Sequence, residues 1–146
     1  MVAAAQRPAR ATVTIDLAAV AANVELLRGR TGGAELWAVV KADGYGHGAS
    51  SVGAAALAAG ATRLCVATWE EARAVRAELP QAPVLVMGPL TPGEEAEVEG
   101  VDVAIPSMEA FARLLRIVPL WSVVHPTTRS ADCETEIEPH WVATRP

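Results

Sequence analysis

The chain has almost no lysine. Of its 12 basic residues only Lys41 is a lysine, and the rest are arginine. It also has a single tyrosine, Tyr45, a single phenylalanine and two cysteines among 146 residues. Cys65 and Cys133 are too few for a disulfide framework, which agrees with a reducing compartment and a cytoplasmic location. Cys65, inside an apolar run, reads as a small core residue. The net charge of −5 is offset by no basic cluster, so the electrostatic footprint of a nucleic-acid binder is missing. Val52–Gly60, an alanine-rich apolar stretch, is far short of the ~20 residues a spanning helix needs. Met1–Arg10 carries no apolar h-region of a secretory signal. Neither a membrane nor a nucleic acid is therefore an expected partner.

What the sequence does have is small apolar residues: 51% of it is hydrophobic, mostly alanine and valine. The length suits one domain with a real core. Asp16 can cap a helix whose apolar positions Leu17, Val20, Val24 and Leu27 recur at three and four residues, with Gly29 to end it. Before it, Ala11–Ile15 alternates and is β-branched, which predicts a short strand.

From Ala34 onward a rhythm appears, with an apolar run, a turn and an alanine-rich helical stretch repeating about every 20 to 25 residues, near the length of a compact βα unit. The predicted strands are Leu36–Val40, Arg63–Ala67, Pro83–Met87 and Val101–Ile105. Their helices are Ala49–Ala59, Trp69–Leu79, Pro92–Glu97 and Ser107–Arg116. Glu94, Glu95, Glu97 and Glu99 read as a solvated helix face. Continuous apolar runs suit strands covered on both faces, as in parallel sheets. Right-handed crossovers put all four strand C-termini on one side. The expected fold class is α/β: about four βα units of a partial (β/α)8 TIM-type barrel, whose closed form needs ~250 residues. An open four-stranded α/β sheet is the competing architecture.

After Arg116 the rhythm stops. Residues 1–116 are expected to form the ordered portion and 117–146 a divergent, irregular and disordered tail, with four prolines and a row of acidic residues at Asp132, Glu134, Glu136 and Glu138. His125, Cys133 and His140 match no usual zinc spacing, so no metal is expected.

Lys41 closes the first apolar run, where α/β folds gather catalytic groups. A lysine amine can form an imine, which a guanidinium cannot. Taken alone, a lysine ending a strand is more often a snorkelling surface residue. The residues that follow shift that balance. Gly44, Gly46 and Gly48 form an alternating glycine loop whose amides can approach an anion, and Tyr45 offers a phenol. Amine, phenol and open amides together suit an aldehyde cofactor bearing a phosphate. His47 is either a polar contact or an ordinary neighbour of a helix N-terminus.

Ala38-Val-Val-Lys-Ala-Asp-Gly-Tyr-Gly-His-Gly48 resembles the pyridoxal-phosphate attachment motif of alanine racemase. The likeness continues through Thr14–Asn23, Ala59–Ala67 and Ala82–Gly88, and spans residues 11–116. The resemblance implies the N-terminal part of the barrel of a fold-type III enzyme with pyridoxal 5'-phosphate as cofactor. It implies that Lys41 holds the cofactor as an internal aldimine and then serves as one of two bases. It places Tyr45 at the cofactor phosphate and Met87 beside the cofactor, although Met87 is equally well an ordinary strand-end core residue. The implied activity is interconversion of L- and D-alanine for peptidoglycan, by a homodimer whose second base is a tyrosine of the partner subunit's C-terminal domain.

Residues 117–146 do not resemble the family's next strand, which carries a lysine and an Asp-Thr-Gly turn. The expectation is a truncated fragment with a frameshifted tail, with little racemase activity alone and an open strand edge at Val101–Ile105. A non-catalytic pyridoxal-phosphate-binding protein is the alternative, and an inert α/β fragment the third reading.

Overall fold

The structure, a computed structural model, describes residues 11–94, 100–114, 116, 123–126 and 141–143. Along the chain these form α1 (Leu17–Arg28), β1 (Trp37–Val39), a turn of helix α2 (Lys41–Gly46), α3 (Ala49–Ala58), β2 (Arg63–Val66), α4 (Trp69–Glu78), β3 (Val84–Val86), β4 (Asp102–Ile105), α5 (Met108–Leu114), β5 (Val123–Pro126) and β6 (Trp141–Ala143).

Asp16 caps α1 as its position predicts: its carboxylate accepts from the backbone N–H of Ala18 at 2.9 Å and of Ala19 at 3.1 Å. The strand predicted over Ala11–Ile15 does not form. β-Branched alternation makes a strand only where an edge supplies hydrogen-bond partners. No described strand pairs with this segment, and Val13 is 83% exposed.

The four βα strands are parallel and lie in sequence order, β1-β2-β3-β4, with Val39 opposite Cys65, Cys65 opposite Leu85, and Val86 opposite Val103. Three of the four predicted helices follow their strands. In the fourth, Pro92–Glu97, residues 95–99 lie outside the described residues, as does most of the acidic run. What is described there is a turn in which Thr91 N–H donates to the Glu94 carboxylate at 2.7 Å.

The core lies between the sheet and its helices. Val40, Leu64, Val66, Val84 and Val86 share one face and are at most 1% exposed, packed with Trp69, Ala72 and Val75 of α4. Full burial of a side chain of this size stabilises by about 1.5–3 kcal/mol. Gly53 lets α3 approach: a Cβ there would stand 2.8 Å from Leu64 Cδ1. At the opposite end from the site described below, Arg63 ion-pairs with Asp102 and lies 5.0 Å from the Trp37 ring centroid.

The edge expected to be open is covered. β6 pairs antiparallel with β4, setting Val103 opposite Ala143 and Ile105 opposite Trp141, and β5 pairs antiparallel with β6. An unpaired edge is a template for any strand that can reach it, and here residues of the chain's own last segment do so. These two antiparallel pairings end the parallel series after β4. The rest of 117–146, including Cys133 and His140, lies outside the described residues. Among the described residues no helix is long and apolar enough to cross a membrane.

Candidate active site

The first three strands end in one row. Val40 N–H donates to Cys65 O at 2.8 Å and Met87 N–H to Val66 O at 2.9 Å, which brings residues 40, 66 and 86 level. Residues 40 and 86, two strands apart, are then separated by roughly 10 Å. Their side chains face the helices. Alternation therefore puts Val39, Cys65, Leu85 and Met87 on the other face. Val39 is 40% exposed and Met87 36%, so this face, expected to be covered, is partly open at both. Lys41 leaves β1 at the same level, half-buried.

Immediately after Lys41 the backbone changes hand. Ala42, Asp43, Gly44 and Tyr45 all have positive φ, between 51° and 62°, and ψ between 37° and 49°. That is one turn of left-handed helix, closed by Gly44 N–H donating to Val40 O at 2.8 Å. Glycine adopts this conformation freely, but each other L-residue loses roughly 1–2 kcal/mol. Three of the four, Ala42, Asp43 and Tyr45, are not glycine.

Hydrogen bonds from outside the turn hold it. Asp43 Oδ1 accepts from Ala49 N–H at 2.8 Å, capping α3 in place of the helix's own N-cap residue, Gly48, which has no side chain. Gly48 N–H donates to Asp43 O at 2.9 Å, and His47 N–H to Gly44 O at 3.1 Å. His47 Nδ1 lies 2.9 Å from the same Gly44 oxygen; a carbonyl only accepts, so Nδ1 carries the hydrogen. Glu71 Oε1 accepts from Ala42 N–H at 2.7 Å.

The glycine loop therefore differs from expectation. The amides of Gly44 and Gly48 donate within the loop, and these glycines serve its handedness, Gly44, Gly46 and Gly48 all having positive φ. The Tyr45 side chain, on the same turn, is 59% exposed. Cys65 is a core residue as expected, 3% exposed, its thiol pushed up by burial against the opposing charge of Arg63. A thiol so placed is inert.

Two residues that sequence reading passed over, Asp43 and Glu71, carry much of this construction. Thr68-x-x-Glu71 is a capping box, and that spacing could have drawn attention to Glu71. Nothing in the sequence marks Asp43 as the cap of a helix six residues on. Replacing Asp43 with alanine should lower the unfolding free energy by about 1–2 kcal/mol. Asp43→Asn, which keeps an acceptor oxygen, should retain most of that stability. Urea denaturation measures both, and an alanine variant as stable as the parent would contradict the capping role.

Four parallel strands in sequence order with helices on one face form part of a (β/α)8-type barrel, and Lys41 and Tyr45 lie at its strand C-termini. The family model described as "Alanine racemase, N-terminal domain" matches residues 15–122, and the chain belongs to that family. The alanine racemase of Mycolicibacterium vanbaalenii is 51% identical over 106 residues, covering 71% of this chain and 27% of that protein. The solved alanine racemase from Streptomyces coelicolor A3(2) superposes with a TM-score of 0.62 at 45% identity, over 70% of this chain and 28% of that one. The Bartonella henselae alanine racemase, solved with covalently bound pyridoxal phosphate, gives a TM-score of 0.54 at 34% identity, over 57% and 25%. The chain thus spans under a third of the length of these relatives.

Proposed function

We propose that this chain is the cofactor-holding part of an alanine racemase, with pyridoxal 5'-phosphate attached at Lys41 Nζ and its phosphate against the Tyr45 hydroxyl. The observation that carries the reading is the turn itself. A backbone held in a costly left-handed conformation joins the chain's only lysine to its only tyrosine at the strand C-termini, and strain of this kind collects at functional sites. The residues fit such a cofactor: a half-buried amine for its aldehyde, an open phenol as donor to its phosphate, and Met87 as an apolar neighbour at the same level.

When bound, this cofactor acidifies the Cα proton of an amino acid. Lys41 Nζ then takes or returns that proton on one face of alanine. Tyr45, placed at the phosphate, does not serve the other face. That role falls to a tyrosine of a partner subunit in a homodimer, and the setting is the cytoplasm, in supply of D-alanine for peptidoglycan. Residues 1–116 form the cofactor portion and 117–146 a divergent tail. Presenting one base, the isolated chain should hold the cofactor and turn over little or no alanine.

Borohydride reduction with pyridoxal 5'-phosphate, followed by peptide mass mapping, should fix one cofactor on the peptide containing Lys41. No mass increase there would defeat the reading. L-to-D conversion by the purified chain should stay at the cofactor-only background. If cofactor is fixed and that background is not exceeded under any condition, including mixing with a racemase partner, the chain is a non-catalytic pyridoxal-phosphate-binding protein.

A further inference from the structure

Glu71 sits in the first turn of α4 as one half of the capping box with Thr68. Its side chain does more than that motif requires. In a capping box the glutamate reaches back to the N-cap N–H, yet here that contact, to Thr68 N–H, is the longest of three at 3.4 Å. The two short ones, both 2.7 Å, go from Ala67 N–H to Oε2 and from Ala42 N–H to Oε1. Ala42 lies 29 residues away, directly after Lys41, and opens the left-handed turn. The carboxylate therefore bridges the exits of β1 and β2.

Its ionisation fits the bridge. Burial pushes the carboxyl up, but the N–H groups of Ala42, Ala67 and Thr68 and the charge of Lys41 outweigh it and hold the group below the usual range. A lowered carboxylate stabilises above its unfolded value of about 4.3, and that contribution is lost as pH falls through the lowered value.

We propose that Glu71 is the positioning residue for Lys41: its carboxylate fixes the left-handed turn and thereby the directions in which Lys41 Nζ and the Tyr45 hydroxyl leave the backbone. The inference rests on the reading of Lys41 as the cofactor lysine. It requires a carboxylate specifically. Two N–H groups from two loops need an acceptor at each oxygen. Glutamine keeps the shape but turns an NH2 toward one of the two donors.

The test uses the full chain, wild type and Glu71→Gln, with and without pyridoxal 5'-phosphate. Without cofactor, amide exchange at residues 42–45 should rise about tenfold or more in the variant, the change expected from losing a charge-assisted hydrogen bond. Exchange in β2 and β3 should stay as in the wild type, which separates local positioning from general loosening. With cofactor, the concentration needed for half-maximal borohydride capture at Lys41 should rise by a similar factor. A second measurement needs no variant. In the wild type, the Ala42 and Ala67 amide resonances should titrate together with the Glu71 carboxyl carbon, below the ordinary glutamate value. Unchanged exchange at 42–45 in Glu71→Gln, or an Ala42 amide that ignores the Glu71 titration, overturns the proposal. If the wild type captures no cofactor, the functional reading falls, and the exchange and titration still decide the role of Glu71 in the turn.

Discussion

Lys41→Arg should abolish covalent capture of pyridoxal 5'-phosphate at residue 41 while leaving the fold intact. Arginine keeps the positive charge and the long apolar stem, but its guanidinium does not form an imine. Because no other lysine exists in the chain, the only amine left is the N-terminal one. Borohydride-fixed label in the variant should therefore drop to whatever the α-amino group takes up, and mapping will find it on the first peptide. Arginine keeps the charge that acts on Glu71, so the substitution should change unfolding free energy by about 1 kcal/mol or less. Full incorporation in the variant would mean that the wild-type label was never on Lys41, and the cofactor assignment would fail with it.

The second large effect is steric and comes from a position with ordinary φ. A Cβ on Gly88 would lie 2.3 Å from the Ala67 carbonyl oxygen, the same oxygen that accepts from Gly88 N–H at 3.0 Å. The obstacle is backbone and cannot rotate away. It is also fixed in place, since Ala67 N–H is bound to Glu71 on one side and Met87 is tied to Val66 on the other. Gly88→Ala should thus destabilise by about 3 kcal/mol, the upper end of what forced overpacking produces. It should also impair cofactor capture by prising apart the row that carries Met87. Gly46→Ala is the control: nothing stands within 4 Å of its Cβ, and only a φ of +81° opposes it. Urea denaturation of the two variants separates collision from conformational strain, and equal losses would show that the clash at Gly88 relaxes without cost.

The parts of this molecule legible in the sequence are those that burial periodicity records. Continuous apolar runs marked the parallel strands, and β2 and β3 do bury consecutive residues, whereas β1 leaves Trp37 and Val39 exposed and β4 is buried only at alternate positions. Asp16 announced its helix because a cap acts over three residues. Lys41 stood out by rarity and by chemistry. The turn after it did not. Ala42-Asp-Gly-Tyr45 has no local reason to be left-handed at three non-glycine positions, and the hydrogen bonds that make it so come from Glu71 and Ala49, which only the assembled fold brings near. The glycines misled for the same reason, since a glycine that frees an amide for a ligand and one that permits a positive φ look alike in one dimension. Pairing of β6 with β4 was equally hidden. Trp141–Ala143 follows an acidic stretch that reads as solvated, and which edge a short strand joins depends on what else is left unpaired.

A left-handed helical turn is the mirror image of an ordinary one. At Ala42, Asp43 and Tyr45 it is the stereochemistry of the monomers that opposes the backbone, and residues of D configuration would occupy these φ and ψ values without strain. Ribosomal synthesis supplies no such residues. Its only achiral substitute is glycine, found here at 44, 46 and 48. The support of Lys41 is therefore written in the less suited enantiomer at three points, and a chain assembled chemically with D-alanine at 42 would carry the same turn in a relaxed form.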